Sequence, residues 1–177
     1  GKLYLFNGPA PAGRPLGFQA ILDDKTNYPN VSFVQTDFAT LVSPEPLDLV
    51  WTSQNYHDMH NPGRNLDIPK ANKAVFAALK PGGVYICTFP VLKAQVEPLK
   101  PRARLEADGS VTHLEPAQYH GNPISVDGAL VTYDYGYDIH QKIAEWAPFD
   151  VEISRFNSRR MGILGEFLEV IVCGKPA

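Results

Sequence analysis

The chain has 177 residues, 44% hydrophobic and 20% charged, with a net charge of −3. That length can bury the core of one domain, residues 1–177 taken together, and the charge gives no basic footprint, so no nucleic-acid partner is expected. No apolar run approaches the ~20 residues needed to cross a bilayer and no signal pattern opens the chain, so no membrane partner is expected and a cytoplasmic location is the default.

Lys2–Phe6 reads as a first strand, followed by a Pro/Gly-rich loop from Asn7 to Pro15 too broken for regular structure. Leu16 to Lys25 has the spacing of a short helix with Leu16, Phe18, Ala20 and Ile21 inward, and Asn27, Pro29 and Asn30 end it. Val31–Thr36 is a second strand with Asp37 at its carboxyl end. Leu47–Trp51 follows a Pro-Glu-Pro break as a short apolar run, expected for a strand covered on both faces. Asp67 offers an N-cap, Pro69 suits the first helical turn, and Ala71, Ala74, Val75, Ala78 and Leu79 recur at helical spacing. Pro81-Gly82-Gly83 is expected to stop that helix, and Val84–Phe89 to form the next strand. This is a βαβ unit, and in such sheets ligands sit at the carboxyl ends of the strands. Thr52 to His60 and Thr88 to Pro90 therefore lie on the functional edge.

Residues from about 93 to 128 read as an insertion. It carries a hairpin signal, ARLEADGSVTHL with Asp108-Gly109 at the turn, and then a loop-like stretch, Glu115 to Gly128. Gly136 to Trp146 is predicted helical with Ile139, Ile143, Ala144 and Trp146 inward. Asp150–Phe156 and Phe167–Cys173 are two final strands joined by a polar link and paired antiparallel. Trp51 reads as core. Cys87 and Cys173 fall in strands and read as small buried hydrophobes, too few for a disulfide framework or zinc site. The order implies an α/β sheet with an antiparallel strand at its C-terminal end.

Four segments in this order resemble the class I S-adenosylmethionine-dependent methyltransferases: VSFVQTDF, LDLVWTSQNYHD, VFAALKPGGVYI and HLEPAQYHGNPISVDGALVTYDYGYDI. The resemblance implies a Rossmann-like, mostly parallel sheet, S-adenosyl-L-methionine as cofactor, and methyl transfer to a small-molecule substrate. It also implies that the family's first strand and glycine-rich loop should precede Gly1, so the first βα unit is expected to be missing. On the resemblance, Asn7 stands where the family usually has an acidic residue for the ribose. Asp37 and Phe38 adjoin the adenine, and Thr52, Ser53, Gln54 and Asn55 line the cofactor.

The cluster Tyr56-His57-Asp58 is the candidate catalytic group, with His57 as a base near neutral pH and Tyr56 or Asp58 orienting it. The plainer reading is a loop that packs the helix entry, and methyl transfer from a sulfonium needs alignment more than a base. His57, Asp58 and His60 do not make a metal set, because further ligands are undefined. Tyr119 and His120, in the run Tyr119 to Pro123, and Tyr133 and Tyr135 are candidate substrate-binding residues, as aromatics that wall a pocket. The competing function is a non-catalytic, methyltransferase-like module that binds cofactor poorly and pairs an open sheet edge with another chain. A nicotinamide-dependent oxidoreductase is disfavoured, since no GxGxxG follows a strand. Oligomeric state is left open.

Overall fold

The computed structural model describes residues 1–8, 16–60, 66–121 and 128–177; for 165–167 it describes the backbone alone. Most of the Pro/Gly-rich loop, and Asn122 and Pro123 of the candidate substrate segment, lie outside these residues. Strands β1 (Leu3–Asn7) and β2 (Val31–Gln35) pair in parallel, with Leu3 opposite Val31 and Asn7 opposite Gln35. Between them α1 spans only Gln19–Asp23. It is shorter than expected and leaves Ala20 and Ile21 exposed, since so short a helix buries no face. Phe18, just before it, provides the contact instead, with its ring centroid 5.4 Å from that of Phe33.

Strand β3 (Leu47–Ser53) runs two residues past its predicted end, so Thr52 and Ser53 are strand, not loop. A one-turn helix, α2 (Tyr56–Met59), follows where an irregular loop was expected. Helix α3 (Ile68–Ala78) starts as predicted: the Asp67 carboxylate accepts from the Lys70 amide, and Pro69 occupies the first turn. Its end differs. The helix stops at Ala78 and Leu79 turns extended, so Pro81-Gly82-Gly83 lie within β4 (Leu79–Thr88). The cause is pairing with β3, in which Leu79 sits opposite Leu47 and the register then jumps to Val84 opposite Leu49. The intervening residues bulge, with Gly82 at φ +72°. A Cβ on Gly83 would lie 2.9 Å from the Lys80 carbonyl oxygen and 3.0 Å from that of Leu47. The glycines thus serve a strand bulge more than a helix cap.

Beyond β4 the chain forms small pairs: β5 (Leu99–Pro101), β6 (Ala103–Leu105), β7 (Val111–His113), β8 (Tyr119–His120), β9 (Ala129–Leu130) and β10 (Tyr133–Tyr135). β6 and β7 pair antiparallel around Asp108-Gly109. β8 pairs with β9, and β10 folds back on β5. Helix α4 (Ile139–Trp146) then leads into β11 (Asp150–Ser158) and β12 (Ile163–Gly174). The last two strands are antiparallel as expected, but they extend into the predicted link and leave only a 3-10 turn, Arg159–Met161, between them.

The four-stranded sheet has the order β11-β12-β4-β3, while β1 and β2 form a separate pair. β3 is parallel to β4, and β12 runs against both its neighbours. Alternation sends Val50, Tyr85, Cys87, Ile171 and Cys173 to one face, where Val75 of α3 and Ile139 and Ile143 of α4 complete the core. Each such aliphatic side chain, fully buried, stabilises by roughly 1.5–3 kcal/mol. Both cysteines are buried and free, as predicted. Ala144 is exposed, because the inward positions of α4 continue to Ala147 and Phe149 beyond its end. Trp51, expected in the core, is 69% exposed. It alternates with Val50 and Thr52 on an edge strand, and α3 and α4 cover only the other face. Among the described residues no helix is long and apolar enough to cross a membrane.

Candidate functional site

The carboxyl ends of β3 and β4 are tied by side chains and backbone together. Ser53 Oγ lies 3.3 Å from Thr88 Oγ1, and the Gln54 amide donates to the Thr88 carbonyl at 2.9 Å. Gln54 has φ +54° and is the one described residue other than glycine with positive φ. A side chain in that region is strained, and such strain gathers where a structure holds a chain in a required geometry. Gln54 and Asn55 are exposed at this edge. Thr52 points the other way: it is buried, and its hydroxyl is hydrogen-bonded to Tyr85 at 3.0 Å.

The turn of α2 separates its residues by burial. His57 and Asp58 look outward into a shallow cleft that Leu130, Val131, Thr132, Tyr133 and Tyr135 also line. His57 Nε2 is 3.7 Å from Asp58 Oδ1, and His120 Nε2 is 4.0 Å from the same oxygen. The two imidazoles meet edge to face, 5.0 Å apart at 76°. Burial holds His57 below its ordinary pKa; Asp58 works against that and His120 with it. His57 therefore carries a free lone pair at neutral pH. Its Nδ1 is buried without a hydrogen-bond partner. The His120 Nδ1 lies 3.0 Å from the Gly121 carbonyl oxygen. The Tyr135 hydroxyl is also buried and unpartnered, and burial raises its pKa.

Tyr56 and His60 are buried, where His57 and Asp58 are only partly so. Tyr56 is 1% exposed, stacks on Phe89 with centroids 4.8 Å apart, and accepts from Asn72 Nδ2 at 3.1 Å. Its hydroxyl serves the core, so Tyr56→Phe should cost about 1 kcal/mol by leaving one N–H of the buried Asn72 amide unpaired, while the Ile68 carbonyl still accepts from Nδ2. Urea unfolding would measure that loss, and an unchanged midpoint would contradict the assignment. His60 packs among Tyr56, Tyr133, Tyr135 and Trp146.

Asn7 and Asp37 both stand at the carboxyl edge of the β1–β2 pair, where the Thr36 amide donates to the Asn7 carbonyl at 2.9 Å. Each side chain is engaged locally. Asn7 Oδ1 accepts from Gly8 at 2.9 Å, and Asp37 Oδ1 accepts from Ala39 at 2.6 Å, capping the 3-10 turn Phe38–Thr40. Phe38 is half-buried and packs against the core cluster. Tyr119 is exposed on β8, while Tyr133 and Tyr135 wall the cleft. The structure thus gathers His57, Asp58, His120, Tyr133 and Tyr135, and keeps Tyr56 and Thr52 inside. Thr132, a buried polar cleft residue, was not anticipated; one threonine in an apolar run carries no signal of its place.

No protein-family model matches the chain, and no curated protein matches it. Solved structures do. The glycopeptide N-methyltransferase MtfA, complexed with S-adenosyl-L-homocysteine, is 15% identical with a TM-score of 0.54, over 90% of this chain and 66% of its own. The Burkholderia thailandensis 1,6-didemethyltoxoflavin-N1-methyltransferase, with bound 1,6-didemethyltoxoflavin and S-adenosylhomocysteine, is 14% identical with a TM-score of 0.55, over 99% of this chain and 62% of its own. DhpI, complexed with S-adenosylhomocysteine, is 14% identical with a TM-score of 0.51, over 99% and 67%. The chain spans about two thirds of the length of these structures. At this identity the likeness is one of fold, that of the class I S-adenosylmethionine-dependent methyltransferases.

Proposed function

We propose that this chain, having the class I methyltransferase fold, transfers a methyl group from S-adenosyl-L-methionine to a small-molecule acceptor. One observation carries the reading: in this fold, a cleft with a neutral imidazole, a carboxylate and a second imidazole opens beside the carboxyl ends of β3 and β4. The cofactor would lie along that edge, with Asn7 at the ribose, Asp37 and Phe38 at the adenine, and the segment Thr52–Asn55 beneath it. Asp37 has one carboxylate oxygen bound to Ala39, and the other would take the adenine amino group. The acceptor would occupy the cleft, walled by Tyr133 and Tyr135, with His120 beside Asp58 and the exposed Tyr119 next to it on β8. His57 would accept the acceptor's proton, with Asp58 orienting it and Tyr56 anchoring the turn from the core. The chemical step is an in-line displacement: the acceptor lone pair forms a bond to the methyl carbon as the carbon–sulfur bond breaks. S-adenosylhomocysteine and the proton are the other products.

The open edge of β3 is where we would seat a first βα unit, whose glycine-rich loop would approach the methionine end of the cofactor. The hairpin around Asp108-Gly109 would then be an insertion over the active edge. The same edge favours a second reading, a non-catalytic module. Leu49 and Trp51 are exposed beside unpaired backbone, a surface suited to pairing with another chain.

Calorimetric titration of the chain with S-adenosylhomocysteine decides between them. Saturable binding, weakened about tenfold by Asp37→Ala through loss of a charge-assisted hydrogen bond, is the expected result. Absence of binding at millimolar ligand would sink the catalytic reading of this chain in favour of the module.

A further inference from the structure

We propose that His57, Asp58 and His120 form a binding site for a divalent transition-metal ion of the zinc type, with one coordination position open to the cleft. Their ligand atoms all lie within 4.8 Å of one another. Both Nε2 atoms approach the same Asp58 oxygen, at 3.7 and 4.0 Å. A tetrahedral zinc ion with bonds of about 2.0–2.2 Å holds its ligand atoms about 3.4 Å apart. Side-chain rotation would contract the cluster toward that spacing, since α2 and β8 already bring the three together. The imidazoles converge edge to face instead of stacking, so their lone pairs can point at a common centre.

The surroundings suit ligation. With a proton on His120 Nδ1, that nitrogen donates to the Gly121 carbonyl 3.0 Å away, which leaves Nε2 as the lone-pair atom. A backbone carbonyl behind a ligating histidine fixes its tautomer and orientation in this way. No hydrogen bond holds His57 through Nδ1, so its ring is free to turn toward the centre. Two imidazoles, which are borderline donors, beside one hard carboxylate match zinc, cobalt or nickel more than magnesium or calcium. Three protein ligands leave a fourth position for water or a ligand heteroatom, unlike a closed structural site. Thr132 and Tyr133 line the same cleft. The ion would also bridge α2 to the β8–β9 pair, which gives His57 and Asp58 a partner far along the chain. On the methyl-transfer reading, on which this last point alone rests, the open position takes the acceptor's oxygen or nitrogen, and His57 serves as ligand in place of base.

The chain, stripped with chelator and dialysed, would be titrated with zinc chloride by calorimetry, and cobalt(II) loading followed by visible absorption. The expected result is one ion per chain with a micromolar Kd and cobalt bands of four-coordinate intensity. His120→Ala and Asp58→Asn should each weaken binding about 30-fold or more, and His113→Ala should leave it unchanged. Both ligands to be replaced are partly exposed, and metal-free thermal unfolding would show that the variants fold like the parent. Absence of saturable binding, or parent affinity in His120→Ala, would overturn the site. S-adenosylhomocysteine is titrated separately, so its failure to bind would count against methyl transfer and leave the zinc result standing.

Discussion

Gly136→Ala should destabilise the chain by about 3 kcal/mol or more, the size of a severe overpacking error in a core. Gly136 lies between β10 and α4, and three consecutive carbonyls surround the place its Cβ would occupy. That Cβ would overlap the Glu97 oxygen and lie 2.8 Å from those of Gln95 and Val96. These are backbone atoms and cannot rotate aside. They are also committed: the Tyr137 amide donates to Gln95 at 3.2 Å, and that of Asp138 to Val96 at 3.1 Å. Gln95 Nε2 in turn donates to the carbonyls of Glu97, at 3.0 Å, and Asp134, at 3.1 Å. A methyl group there must displace the 95–98 segment, loosen the β5–β10 pair and disturb the start of α4, where Ile139 is fully buried. Urea unfolding of Gly136→Ala beside Gly17→Ala measures the effect. Gly17 has nothing within 4 Å of its Cβ position, so its variant should stay within about 0.5 kcal/mol of the parent. Equal midpoints for the two variants would refute the packing argument. Because β10 carries Tyr133 and Tyr135, the same substitution should also deform the cleft.

What the sequence disclosed about this region, and what it concealed, follows from the range of the interactions involved. The start of α3 was legible because a cap is local: Asp67 and the Lys70 amide are three residues apart. Its end was not, since Leu79 leaves the helix to pair with Leu47, a contact that no local pattern announces. Trp51 shows a different limit. A short apolar run without alternation is expected for a strand covered on both faces, but it does not say that helices lie over each of them, and here β3 stands at a sheet edge. In the candidate site, His57 and Asp58 were legible as adjacent polar residues at a strand's end. Their division from Tyr56 and His60 was not, because it depends on one helical turn in a stretch read as loop. His120 was legible as a separate polar-aromatic group, and only the β8–β9 pairing brings it to Asp58. Asn7 and Asp37 show why position alone is weak evidence of role: both stand at strand ends as expected, and both side chains bind neighbouring amides.

His60 should make the fold acid-sensitive well above the range in which carboxylates titrate. It is 9% exposed, its Nε2 is buried without a partner, and burial lowers its pKa to about 4, with the nearby His57 pushing the same way. The groups packed around it are Tyr56 on its own turn, Tyr133 and Tyr135 on β10, and Trp146 on α4, and none supplies a negative charge at these pH values. Above pH 6.5 the imidazole is neutral in both folded and unfolded chains and pH has no effect through it. As pH falls below 6.5 the unfolded chain takes up the proton and the folded chain does not, so stability declines until the folded pKa is reached near 4. The loss over that window is about 3 kcal/mol, as an order of magnitude. The carboxylates held low by their partners, Asp24, Glu45, Glu106, Asp108 and Glu115, act further down, as pH falls through their own range. His57 contributes with the same sign, so the measurement must separate the two. Urea midpoints taken with chelator present, between pH 7.5 and 4.5, should fall steeply for the parent. His60→Phe keeps an aromatic ring in the cage and cannot be protonated, so most of the slope should vanish. A His60→Phe profile parallel to the parent's would show that the acid sensitivity lies elsewhere, with His57 the first group to examine.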